Sequence, residues 1–166
     1  HNSLHVQKVH PTRINAFDSG ERGPAALVRD DHIHWQTDSV ERAVEMSRLD
    51  GFHIQELPVP EEWPWVEIIM NHVQSTGRNI QALVDAGVKG LVVAGTGNAS
   101  VSQPLKDALM AAQSSGVKVC LASRCHQGPV VQTANHAFPT SGELNPAKAR
   151  VALILNMLSK TQSHFK

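Results

Sequence analysis

From Trp65 onward the chain alternates between short, continuous apolar runs and longer stretches whose apolar residues recur at helical spacing. WVEIIM, residues 65–70, has the length and β-branched content of a strand. Between Thr76 and Ala86, Ile80, Leu83 and Val84 share one face, and Gly87 is placed to stop a helix. KGLVVAG, residues 89–95, is the unbroken apolar run expected of a strand covered on both faces. A second helix is predicted from Ser100 to Ser115, with Val101, Leu105, Ala108, Leu109 and Ala112 on one face and Gly116 at its end. VKVCLAS, residues 117–123, reads as a third strand. After a long loop, Asn145 and Pro146 supply a cap and a first-turn proline for a final helix whose run VALILNML is apolar nearly all round.

The first sixty residues lack this rhythm. LHVQKV and HIHW look like short β pieces, separated by turn signals at Asp18-Ser19-Gly20 and Gly23-Pro24. SVERAVEM could form a short helix capped by Ser39, and Pro58, Pro60 and Pro64 punctuate a linker. Residues 1–62 are therefore expected to be an arm rather than a second core, with an α/β domain over 63–166. Within that domain ALVDAGVKGLVVAG and ALMAAQSSGVKVCLAS echo each other, each a helix ending at glycine before a strand. The expected fold is α/β: a small three-layer parallel sheet with helices on both faces, preceded by an irregular, β-containing linker arm. In such sheets ligands bind at the carboxyl ends of the strands, here the loops Gly95–Ser100 and Ser123–Gly128.

Composition narrows the partners. Lysine plus arginine equals aspartate plus glutamate at 15 each in 166 residues, so no basic field exists to hold nucleic acid or an anionic membrane surface. No run approaches the ~18 apolar residues of a spanning helix. The chain starts at His1 without an initiator methionine, an end expected from processing, cleavage or a chosen boundary, and both a fragment and a natural product stay open. Cys120 and Cys125 have neither CxxC nor zinc spacing. His32 and His34 alternate on one side of a strand, but two ligands do not make a site, and a half-exposed strand spaces polar residues the same way; no metal is expected.

The two carboxyl-end loops are the places for chemistry. GTGNAS, residues 95–100, leaves a strand and opens a helix; Gly95 and Gly97 allow tight turns or close backbone approach, and Ser100 is expected to be the N-cap. The same loop reads equally as a plain glycine-rich turn or as an anion cradle. Arg124, at the end of the next strand, stands where a dinucleotide fold keeps its partner for a 2′-phosphate, which makes an NADP-binding module the alternative. Against it, the glycine turn follows the second strand rather than the first. A free-standing small-molecule-binding module is the other alternative. No G-x-S-x-G elbow is present, and Cys120 lies inside an apolar strand as an inert thiol, so no catalytic nucleophile is assigned to this chain.

Taken in order, ALVDAGVKGLVVAGTGNASVS, then ALMAAQSSGVKVCLASR with Gly128, then SGELNPAKARVALILNML resemble the C-terminal domain of bacterial L-asparaginases and glutaminase-asparaginases. Upstream, Lys8, His10, Thr12, Ala16, Phe17, Ser19, Gly23 and Pro24 fit that family's connecting segment, written there as K-T-H-T-T followed by A-F-x-S and G-P, so residues 1–62 would end an N-terminal domain and link it to this one. The resemblance implies hydrolysis of a side-chain amide, L-asparagine or L-glutamine, to acid and ammonia without a cofactor. Its nucleophilic threonines belong to an N-terminal domain; their motifs T-G-G-T-I and T-D-T do not occur here, so the chain alone is expected to be inactive. What this domain contributes, by the resemblance, is one wall of a neighbouring subunit's site, through Ser100 and Asn98. The family's glutamate for the substrate's α-ammonium has no counterpart between Arg124 and Glu143; an ungapped count puts the neutral Asn135 there. The resemblance also implies a homotetramer, in the bacterial cytoplasm or periplasm, with the cytoplasm favoured.

Overall fold

The computed structural model describes residues 1, 4–36, 55 and 57–159. The helix expected at SVERAVEM lies outside these residues. The chain divides into two compact units, 1–56 and 57–166.

The first unit holds two antiparallel pairs. Strand β1 (Gln7–Lys8) pairs with β2 (Phe17–Asp18), and β3 (Ala26–Arg29) pairs with β4 (His32–Trp35). HIHW thus has a partner, ALVR, that carries no obvious strand signal. Asp30 and Asp31 join them with φ of 49° and 60°, the paired left-handed conformations of a type I′ hairpin turn. Arg29 is the register partner of His32. Among the described residues no three metal-ligating side chains come together.

The second unit is the α/β domain. Strands β5 (Val66–Met70), β6 (Gly90–Gly95) and β7 (Lys118–Ser123) form a parallel sheet in that order, with β6 central. Helices α1 (Arg78–Asp85) and α2 (Gln103–Ser114) form the β5–β6 and β6–β7 crossovers, and α3 (Pro146–Leu158) follows the last loop. Alternate strand residues feed two cores. Ile69, Leu91, Val93, Val119 and Leu121 pack with Ile80 of α1 and with Leu105, Leu109 and Ala112 of α2. Val66, Val92, Cys120 and Ala122 pack with Ala149, Leu153 and Ile154 of α3. The period of two along each strand therefore produces three layers, with two helices on one face and one on the other.

Local signals explain most element ends. Both α1 and α2 stop in a Schellman arrangement: Val88 N–H donates to Leu83 O and Gly87 N–H to Val84 O, and Val117 and Gly116 repeat this with Ala112 and Gln113. At the start of α3 the Asn145 side chain accepts from Lys148 N–H at 2.9 Å. No helix among the described residues is long and apolar enough to cross a membrane.

Two helix starts differ from expectation. The helix expected from Thr76 begins at Arg78, after Gly77 in a left-handed conformation. The helix expected from Ser100 begins at Gln103, with Ser102 rather than Ser100 at the N-cap. Pro104 is the reason: a helix capped at Ser100 would need an amide hydrogen from residue 104 and would drive the proline ring into the Ser100 carbonyl. Started at Gln103, the helix carries proline in its first turn, where no donor is required.

The loop after β7 is also more ordered in its pairing than its composition suggests. Leu121 N–H donates to Pro139 O at 2.8 Å, and Ser141 N–H donates to Leu121 O at 2.7 Å, so residues 139–141 occupy the outer edge of β7. Val130 and Phe138, both buried in the first core, anchor this return.

Candidate functional site at the carboxyl end of the sheet

Three loops meet beyond the carboxyl ends of the strands: 71–77 after β5, 96–102 after β6, and 124–145 after β7. The middle one closes on itself. Thr96 N–H donates to Ser100 O at 3.0 Å, and Ser100 N–H donates to Thr96 O at 2.8 Å. Gly95 lies beneath this turn: a Cβ there would stand 2.5 Å from the Ala99 carbonyl carbon and 2.8 Å from its Cα. The absent side chain is what lets the turn fold back over the strand end. Ala99 is fully buried and takes a left-handed φ of 60°.

Ser100 is exposed, and its hydroxyl makes no hydrogen bond among the described residues. Asn98 is differently employed. Its Oδ1 accepts from Val131 N–H at 2.8 Å and its Nδ2 donates to Val131 O at 2.9 Å, so both ends of the amide grip the loop after β7. His136 completes the grip. Its Nδ1 accepts from Thr133 N–H at 3.1 Å, which leaves Nε2 to donate to Asn98 O at 2.8 Å. Asn135 lies exposed in the turn just before His136.

The strand-end residues of β7 complete the cluster. Ser123 Oγ donates to Gly97 O at 2.6 Å and accepts from Cys125 N–H at 3.0 Å, while Arg124 N–H donates to Gly95 O at 2.9 Å. Ser123 is thus a brace between loops, and the Arg124 side chain is exposed. Cys120 is buried in the second core, and burial pushes its thiol up to about 11, which keeps it neutral and unreactive at ordinary pH.

Charges are few at this end. The loops 71–77, 96–102 and 124–145 include His72, Arg124, His126 and His136, and their one acidic residue is the exposed Glu143, just before α3. Neither α1 nor α2, whose N-termini follow two of these loops, has an acidic residue in its first turn. Around the loops 71–77 and 96–102, which carry no acidic residue, a carboxylate or another anion is the better suited ligand.

Three residues that hold this cluster, Asn71, Ser102 and His136, belong to no motif of the sequence. Ser102 Oγ donates to Ser75 O at 3.3 Å, which ties the β5 loop to the β6 loop. The one available signal was Pro104, whose place in a first turn makes residue 102 the cap. Asn71 and His136 act between segments far apart in the chain, and no spacing rule reports that.

A three-layer parallel α/β unit with a glycine-dependent turn at the carboxyl end of its central strand defines the class: a small α/β domain. The match to known proteins is more specific. Residues 65–165 match the Glutaminase/Asparaginase C-terminal domain, and the chain belongs to that family. It is 32% identical to L-asparaginase 2 of Escherichia coli (strain K12) over 155 residues, 90% of this chain and 43% of that protein. It is 31% identical to L-asparaginase 2 of Bacillus subtilis (strain 168), over 95% of this chain and 40% of that one. Glutaminase-asparaginase of Pseudomonas fluorescens biotype A is 31% identical over 95% of this chain and 43% of its own length. The chain spans about two fifths of the length of these relatives.

The dinucleotide alternative loses its geometric basis. A phosphate-binding glycine turn delivers its ligand to the helix that it opens directly. Here the turn closes between Thr96 and Ser100, and α2 starts three residues later.

Proposed function

We propose that the chain is the C-terminal part of an L-asparaginase-type amidohydrolase, which converts L-asparagine and water to L-aspartate and ammonia. Its share of that work is to close a neighbouring subunit's active site through the hydroxyl of Ser100. The observation that carries this reading is the position of Ser100 in a domain of this family: exposed at the carboxyl end of the sheet, on a braced turn, with its hydroxyl unengaged. A hydroxyl both donates and accepts, so it suits a contact to an amino acid's head group. Asn98 serves the same site indirectly, by fixing the turn to Val131.

The absence of acidic residues from the loops 71–77 and 96–102 favours the substrate's carboxylate. Asn135, exposed at the turn before His136, offers the α-ammonium a neutral amide instead of a carboxylate, a weaker partner by on the order of 1 kcal/mol. The threonine motifs T-G-G-T-I and T-D-T are absent from these 166 residues, so the chemistry requires a nucleophile from a further N-terminal domain. The assembly in which one subunit closes another's site is a homo-oligomer, a tetramer in this proposal, in the cytoplasm or periplasm. No metal or cofactor takes part.

The test is direct. A polypeptide carrying this chain together with its upstream reading frame should release ammonia from L-asparagine or L-glutamine, and the 166-residue chain alone should not. In the active protein Ser100→Ala should raise KM about fivefold, as expected for one lost hydrogen bond, with kcat little changed. An extended protein that leaves both amides intact refutes the proposal.

A further inference from the structure

Asn71 stands where β5 ends, and it is a poor choice for packing. It is 8% exposed, its backbone N–H donates to Ala94 O at 3.0 Å, and its Nδ2 donates to the carbonyl of Ser100 at 3.3 Å. Its Oδ1 is buried and accepts no hydrogen bond among the described residues. A buried acceptor without a donor is a cost that an isosteric leucine would avoid. The one thing the amide supplies that leucine cannot is the bond to Ser100 O.

That carbonyl is the closing point of the turn. It already accepts from Thr96 N–H at 3.0 Å and lies 3.4 Å from Thr96 Oγ1. On the far side Asn98, Ser123 and His136 tie the same turn to the loop after β7 and to the end of β7. Without Asn71 the turn would be fastened firmly on one flank and loosely on the other.

We propose that Asn71 is a positioning residue for Ser100: by holding the Ser100 carbonyl from the β5 side, it fixes the direction in which the Ser100 hydroxyl leaves the sheet. Asn71 touches no substrate and acts only through the turn. Its buried, unbonded Oδ1 is the cost of that placement. The inference rests on the reading of Ser100 as a substrate contact.

A double-mutant cycle in the active, extended protein tests it, with KM and kcat for L-asparagine measured on wild type, Asn71→Leu, Ser100→Ala and the double variant. Asn71→Leu should raise KM severalfold, up to about tenfold, and leave kcat within about twofold. Its melting temperature should be unchanged or higher, since the orphaned acceptor is gone, and a merely structural asparagine would not combine a weaker KM with undiminished stability. The double variant should match Ser100→Ala alone, because Asn71 has nothing to position once the hydroxyl is removed. If Asn71→Leu does not fold, Asn71→Ala, which cannot overpack, takes its place in the cycle. A wild-type KM in the Asn71 variant, or effects of the two substitutions that simply multiply, would overturn the role of Asn71 and leave the functional reading standing. A wild-type KM in Ser100→Ala would overturn that reading and this inference together.

Discussion

Two glycines in one six-residue loop answer to different constraints, and the difference is measurable. At Gly95 the space for a methyl group is already taken by the Ala99 backbone, at 2.5 to 2.8 Å. Backbone atoms cannot swing aside as a side-chain tip does, so Gly95→Ala must lift the Thr96–Ser100 turn off the strand end. At Gly97 nothing lies within 4 Å and only the left-handed φ of 50° matters. Urea unfolding should therefore show Gly95→Ala destabilised by about 2–3 kcal/mol, as for overpacking of a closed site, and Gly97→Ala by only about 1 kcal/mol. Equal costs at the two positions would mean that the turn is not pressed against β6. From the sequence both glycines were legible as turn residues. Which one yields space and which one yields conformation was not, because that depends on where Ala99 comes back to, several residues on.

At the scale of elements, the parallel sheet and its helices were legible because their signals are local. Periods of 3.6, continuous apolar runs, Gly87 and Gly116 at helix ends, and the Asn145-Pro146 start of α3 each act within a few residues. Two other elements carry misleading signals. Ser100 stands before an apolar helical face and looks like a cap, while Pro104 moves the start of α2 to Gln103. Strand β3 has no glycine to mark its I′ turn, which Asp30-Asp31 makes instead. The pairing of residues 139–141 with β7 is long-range and leaves no local trace. Of the candidate site, the positions of the loops at the strand ends were legible, whereas the clamp by Asn71, Asn98 and His136 spans segments up to 38 residues apart.

The layer between α3 and the sheet gives a pH signature. Cys120 sits there among Val66, Val92 and Leu153, and its thiol is raised from 9.0 to about 11 by burial. Above pH 9 the unfolded chain releases this proton while the folded chain holds it, so the unfolded state binds fewer protons and folding stability falls as pH rises. The loss begins near pH 9, grows toward 11 and then levels off, at roughly 2–3 kcal/mol. Denaturation of wild type and Cys120→Ala between pH 8 and 12 should show this difference in slope. Parallel curves would mean that the thiol is solvated in the folded state.

At the scale of the whole molecule, the two units differ in what could hold them together. Among the described residues of 1–56, only Ala16 and Ser19 are buried, and Val28, Ile33 and Trp35 on one face of the β3–β4 hairpin are 74%, 59% and 65% exposed. Two-stranded hairpins without a covered face are marginal in water. Residues 57–166 contain both cores, fed from the two faces of one sheet, and the family match at 65–165 falls wholly within them. Expressed separately, 57–166 should therefore melt as one cooperative transition by circular dichroism, and 1–56 should show no cooperative transition. If 57–166 proved unfolded while the 166-residue chain folded, the first unit would be part of the core's support, and the turn that carries Ser100 would depend on it. If instead 57–166 melts as the longer chain does, the braces that Asn71, Asn98 and His136 place around Ser100 are complete within the domain.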